Sequence, residues 1–228
     1  MKRKSLQNVF SDTSSLVFRS LLREPERRWK QVQLSCQGIS QGLVSEVLSK
    51  SEALGYVERV SKGPDSFTRL VRKENLLKDW LRSYSFDRNQ QVSYLYVGNN
   101  FLKKCHPILK RKGIPHAVTL YSASRLISSY VKDDRHFIYL NVDQNQWGPL
   151  LKEIEIELHL YQLIQGGNVC FVRPYYRNAL FKDSQKIKGY PVVSNLQLYL
   201  DLMTFPPSGP EEVRHLVHEF KKKGHVFV

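Results

Sequence analysis

Glu153, Glu155 and Glu157 put three carboxylates within five residues, and clustered carboxylates are a common way to hold a hard metal ion. Their spacing defeats that role, because alternate side chains on a helix point about 200° apart and cannot converge on one cation. Asp143 follows an apolar, strand-like run, and Lys152 and Glu153 lie beyond it. That is the nearest approach to a nuclease site, but it lacks the acid–x–Lys strand motif such a site would need. His215 and His218 are three residues apart with no obvious third ligand, and His159 stands by itself. Gly166-Gly167 has neither a GxxxxGK[ST] nor a GxGxxG context, so it reads as a helix stop and a tight turn. Cys36, Cys105 and Cys170 are far apart and form no CxxC pair, which points away from zinc and disulfides and toward a reducing, cytoplasmic setting. The residues call for no catalytic group, metal or cofactor.

Chemistry suited to nucleic acid is better represented. Residues 37–71, QGISQGLVSEVLSKSEALGYVERVSKGPDSFTRLV, read as a turn, an amphipathic helix, a Gly stop and a hairpin. Ser40 is placed to cap the helix, and Val44, Val47, Leu48, Ser51 and Leu54 form its buried stripe. Gly55 ends it. The opposite face holds Gln41, Gly42, Ser45, Glu46, Ser49 and Lys50, small and polar groups that would let a helix backbone sit deep in a major groove. Tyr56–Val60 and Phe67–Val71 alternate around a polar tip at Lys62–Ser66, as a wing would. This order is that of a winged helix-turn-helix. Ser40, Gln41, Ser45, Ser49 and Lys50 would then meet bases or nearby phosphates, with Lys30, Lys62 and Arg69 on phosphates. The competing reading is an ordinary helix and hairpin in an α/β core.

A second group, Arg173, Tyr175, Tyr176 and Arg177, interleaves arginine with tyrosine after a strand. Such a cluster can hold a phosphate and stack on a base. It can equally be an exposed strand end with amphipathic side chains.

Charge agrees with an anionic partner: 35 Lys plus Arg stand against 21 Asp plus Glu, for a formal net charge of +14. The excess is divided evenly between residues 1–90 and 91–228, so the shorter first segment is the more densely charged. It opens with Lys2-Arg3-Lys4, a possible arm for a phosphate backbone or a solvated terminus. No apolar run reaches the ~20 residues of a membrane span, and the polar start has no signal-peptide centre.

The elements that must position these groups fall into two domains. Before the winged segment, Ser11–Glu24 predicts one helix and Trp29–Cys36 a short second one, with Trp29, Val32 and Leu34 packing inward. Lys73–Tyr84 predicts a trailing helix with Leu76, Leu77, Trp80 and Leu81 on its apolar side. These make an N-terminal domain over residues 1–84, followed by a polar linker over 85–92. Residues 93–228 predict a C-terminal α/β domain. Its strands fall at Ser93–Val97, His116–Tyr121, Phe137–Val142 and Val169–Arg173, and its helices at Asn99–Lys112, Ala123–Val131 and Leu150–Ile164. Ser194 caps a further helix with Leu196, Leu198, Tyr199, Leu200, Leu202 and Met203 on its apolar face. Pro206-Pro207-Ser208-Gly209 breaks it, and Pro210 opens a last helix. The fold class is α/β (α+β), a winged helix-turn-helix followed by a mixed sheet covered by helices.

Several of these segments together resemble AbiEi-type antitoxins and transcriptional regulators of type IV toxin–antitoxin systems. They are the winged unit with Trp29 and GISQGLVSEVL, the Leu-Leu-x-x-Trp of Leu76–Trp80, and PVVSNLQLYLDL at residues 191–202. The likeness is strongest over Trp29–Val60 and Pro191–Leu202, while residues 93–164 match in the order of strands and helices. The resemblance implies a prokaryotic repressor whose winged domain binds double-stranded operator DNA, and whose second domain antagonises a cognate nucleotidyltransferase toxin. The competing function is a nuclease or nucleotidyltransferase-like enzyme with a winged targeting domain.

Overall fold

The computed structural model describes residues 9–35, 38–128, 133–205 and 209–222, with the side chains of the last helix described to Phe220. The chain forms two compact units, one of residues 1–85 with 217–228 and the other of residues 86–216.

In the first unit the order is α1 (Asp12–Arg23), α2 (Gln31–Ser35), α3 (Gln41–Ala53), β1 (Val57–Val60), β2 (Phe67–Leu70) and α4 (Lys73–Ser83). α1 is buried all round from Ser14 to Leu22, with Leu16, Val17, Phe18, Leu21 and Leu22 as its apolar groups. This helix packs against Trp80 of α4, which is fully buried. The Phe10 ring stacks on it at 5.4 Å, Phe18 tilts against it at 6.0 Å, and the Arg19 guanidinium lies 5.6 Å above it. Tyr56, just before β1, donates to Asp79 Oδ2 at 2.7 Å and so ties the hairpin to α4.

The start of the second helix and the inward placing of Val32 and Leu54 are corrected, while Trp29 is buried as expected. Trp29 lies outside α2 in an extended segment, paired antiparallel with Thr68 through two 2.8 Å main-chain hydrogen bonds. Val32 of α2 and Leu54 at the end of α3 are exposed, because a five-residue helix and a helix terminus cannot turn every apolar residue inward. The expected basic arm at residues 2–4, Cys36 and residues 206–208 lie outside the described residues.

The second unit comprises β3 (Gln90–Tyr96), α5 (Phe101–Arg111), β4 (His116–Thr119), α6 (Leu120–Ile127), β5 (His136–Leu140), α7 (Gln144–Leu158), β6 (Leu160–Leu163) and β7 (Val169–Arg173). After these come α8 (Arg177–Lys182), β8 (Gln185–Ile187), β9 (Tyr190–Val192), α9 (Asn195–Met203) and α10 (Gly209–Lys222), whose residues from Val217 belong to the first unit. The seven strands form one mixed sheet in the order β6-β3-β7-β5-β4-β9-β8. β5 with β7 and β4 with β9 are parallel, and the remaining neighbours antiparallel.

Strand alternation divides the side chains between two faces. Tyr94, Tyr96, Ile138, Leu140 and Phe171 pack with Phe101, Cys105 and Leu109 of α5 and Trp147, Leu151 and Ile154 of α7. On the other face Phe137 meets Tyr121 of α6 at 6.1 Å and Phe205 at 5.3 Å, while Tyr139 meets Phe86 at 6.1 Å. Asp201 of α9 is wholly buried there and accepts from Thr119 Oγ1 at 2.6 Å, Gln197 Nε2 at 2.8 Å and Tyr139 OH at 3.2 Å. Three donors satisfy a carboxylate that would otherwise be costly to bury.

The long helix expected at Leu150–Ile164 is instead α7 followed by β6. His159, with φ at 52°, takes the left-handed turn that separates them. The hairpin β8–β9 is an addition to the expected strands. Residues 86–91, polar in sequence, contain the buried Phe86 and Asn89 and the start of β3.

His136 opens β5 with its ring 5.0 Å from Phe101 and its Nδ1 3.3 Å from Arg125 Nη2. Burial first, and the Arg125 charge second, push its pKa from 6.5 down to about 4. Below pH 6.5 the unfolded chain takes up a proton that the folded chain refuses, so stability falls as the solution is acidified. Between pH 7.5 and pH 5 this one group should cost about 2 kcal/mol. Urea midpoints at the two pH values should show a shallower drop for His136→Phe, and an unchanged drop would place the proton uptake elsewhere.

Candidate nucleic-acid interface

α3 keeps a face of small and polar side chains outward while Val44, Val47, Leu48 and Ser51 bury the other. Ser40 Oγ accepts from Leu43 N at 3.2 Å, so its hydroxyl caps the helix. Gln41 and Ser49 are exposed and Ser45 is half-buried. A side chain added at Gly42 would meet nothing within 4 Å, so that turn of the helix offers bare backbone. Ser49 Oγ accepts from Arg59 Nη1 at 2.8 Å, and Lys50 Nζ pairs with Glu46 at 2.5 Å. Gly55, with φ at 74°, reverses the chain into β1.

In the β1–β2 hairpin, Lys62 is exposed at the tip, where its N–H donates to Ser66 Oγ at 3.0 Å. Arg69 donates to Glu58 Oε2 at 2.7 Å and forms an exposed ion pair with it. Lys30 is exposed, and its main-chain N–H donates to Gln33 Oε1 at 2.9 Å at the start of α2. Trp29 and Thr68 are paired and both buried, so their neighbours alternate to the opposite side. Arg28, Lys30, Phe67 and Arg69 therefore share one face, with the Arg28 guanidinium 4.8 Å from the Phe67 ring. Arg28 and Arg59 were not among the expected contact residues. The signal for Arg28 was its place beside Trp29, legible once Trp29 is put in a strand.

The second cluster sits where the parallel strands β5 and β7 end. Arg173 Nε donates to Val142 O at 3.0 Å, and Arg177 pairs with Asp143 at 2.9 Å and reaches Asn141 Oδ1 at 3.4 Å. Tyr175 N donates to Asn89 Oδ1 at 3.1 Å, and Arg88 lies 4.3 Å over its ring. Tyr176 is a correction to the expected patch. Only 4% exposed and packed against Tyr175, it cannot offer a face to a base. The structure thus brings Arg173, Tyr175 and Arg177 together and adds Arg88.

The candidate enzymatic groups are engaged in other contacts. Glu153 pairs with Lys112 at 2.8 Å, Glu157 with Lys112 at 3.7 Å and also with Arg111, and Asp143 with Arg177. Cys105 and Cys170 are buried free thiols, and burial raises both pKa values, that of Cys170 to about 12. Neither is poised as a thiolate. Among the described residues no group of three or more His, Cys, Asp or Glu could hold a metal ion.

A family model described as transcriptional regulator, AbiEi antitoxin, type IV TA system matches residues 69–221. The chain belongs to the AbiEi antitoxin family. The family match begins inside β2 and runs through the mixed sheet into α10, so α3 and most of the β1–β2 hairpin precede it. No curated protein and no solved structure matches the chain. Among the described residues of this AbiEi-family regulator, no helix is long and apolar enough to cross a membrane.

Because Ser40 caps α3, Ser40→Ala should lower stability by about 1 kcal/mol, and Ser40→Asp should recover most of it. Equilibrium urea unfolding measures both, and a loss confined to DNA affinity would assign Ser40 to base contact alone.

Proposed function

We propose that this AbiEi-family chain is a cytoplasmic repressor that binds duplex operator DNA through α3 and the β1–β2 wing. It controls its own operon and neutralises a cognate nucleotidyltransferase toxin through its second unit. The observation that carries the DNA reading is the exposed, small-residue face of α3 beside a wing face holding Arg28, Lys30 and Arg69. Gln41, Ser45, Ser49 and Lys50 lie on α3 to meet base edges or adjacent phosphates, and Lys30, Lys62 and Arg69 serve the backbone. Arg173, Tyr175 and Arg177 are a secondary contact for nucleic acid. The net charge of +14 supports long-range attraction to DNA.

Fluorescence anisotropy on the duplex upstream of this chain's own operon should show tight, salt-sensitive binding well above that to a scrambled duplex. Equal affinity for the two would end the specific-repressor reading. Arg69→Ala should reduce the slope of log K against log salt by about one, and Glu58→Gln, which frees Arg69 from its carboxylate, should raise affinity. Co-expression with the product of the adjacent gene should restore growth that the latter arrests, and continued arrest would count against the antitoxin role.

A further inference from the structure

β6 is the outermost strand of the large sheet, bonded on one side to β3. Proteins usually guard such an edge with charge, proline or a covering segment, because an open edge pairs with any strand that reaches it. Among the described residues no strand pairs with the outer side of β6, and the edge carries no charge although the chain holds 35 basic and 21 acidic residues. Residues 89–102, which contain β3, and residues 158–172, which contain β6 and most of β7, include no Asp, Glu, Lys or Arg. Tyr161 is 61% exposed, Val97 75%, and Ile164 fully. Leu95 and Tyr161 are register partners, so the exposed apolar groups are continuous across the two edge strands.

We infer that β6 pairs antiparallel with β6 of a second copy of this chain, about a two-fold axis at Gln162. The run Leu160-Tyr161-Gln162-Leu163-Ile164 has the same polarity read in either direction from Gln162. Pairing centred there sets Gln162 against its counterpart, Tyr161 against Leu163, and Leu160 against Ile164. Each pair then falls on one face of the extended sheet, as a closed two-fold interface requires. The two exposed Gln162 amides both donate and accept, so they can bond to each other across the axis.

Charge selects this occupant. Two chains of net charge +14 repel wherever basic surfaces meet, and this edge lets them approach without burying an unpaired charge. A charged partner segment would be desolvated here against no counter-ion, whereas β6 itself is neutral and apolar.

Sedimentation velocity on the full chain over a concentration series should show a growing dimer fraction. Gln162→Lys and Gln162→Glu, at an exposed position, each put like charges face to face on the axis. Each alone should weaken dimerisation about tenfold or more, and an equimolar mixture should recover it as a heterodimer. A chain that stays monomeric at about 100 µM overturns the proposal. So does a variant that dimerises like the parent, or a mixture no better than its components. If Ile164→Lys abolished capture of the co-expressed toxin while the parent never self-associated, the edge would belong to that partner and the proposal would fail.

Discussion

Trp29 and Thr68 exchange two main-chain hydrogen bonds of 2.8 Å each, and the basic face of the first unit depends on that exchange. It lays the segment before α2 against the hairpin as a short third strand. The Trp29 indole is thereby buried, with the Arg27 guanidinium 4.0 Å from its ring, and Arg28 and Lys30 are turned to the face that carries Phe67 and Arg69. Without the pairing, the basic groups before α2 would have no fixed relation to the wing. Tyr56 and Trp80 perform the corresponding task on the inner side, where a hydrogen bond to Asp79 and the aromatic stack hold the hairpin and α1 to α4.

In the second unit the corresponding constraint is the parallel pairing of β5 with β7 at the middle of the sheet. Their ends bring Val142 O beside Arg173 and Asn141 beside Arg177, which assembles a basic cluster from segments distant in sequence. Asn168 extends the β7 side, its side-chain amide donating to Tyr96 O at 2.9 Å and accepting from Tyr96 N at 2.8 Å as a strand residue would. Gly167 just before it approaches so closely that a Cβ there would collide with the Tyr94 carbonyl. Asp201 locks α9 to β4 and β5 through Thr119 and Tyr139, so the PVVSNLQLYLDL segment covers the sheet by a polar contact as well as by leucines.

The parts legible in the sequence are those governed by neighbours a few residues apart. Ser40 and Ser194 were expected as caps, and each accepts from the main-chain N–H three residues on. Gly55 ends α3 in a left-handed conformation, and Val44, Val47 and Leu48 form its buried stripe. β6 was hidden because Leu158 and Tyr161 continue the apolar spacing of Leu151 and Ile154 in α7, while the break between them is made by His159, a non-glycine residue at positive φ. Tyr176 was expected at the surface because Arg177 follows it, but the turn after β7 directs it inward.

Composition, caps and periodicity by themselves determine an α/β chain with a helix and hairpin near its start and a strong positive charge. All of these are written in residue types and short spacings. Tertiary structure decides that Trp29 is bridged to Thr68, that Arg28 joins the hairpin face, that Arg69 is held by Glu58, and that β6 forms a neutral sheet edge. Each of those outcomes depends on pairing between residues remote in sequence, where main-chain hydrogen bonds and burial outweigh local preference.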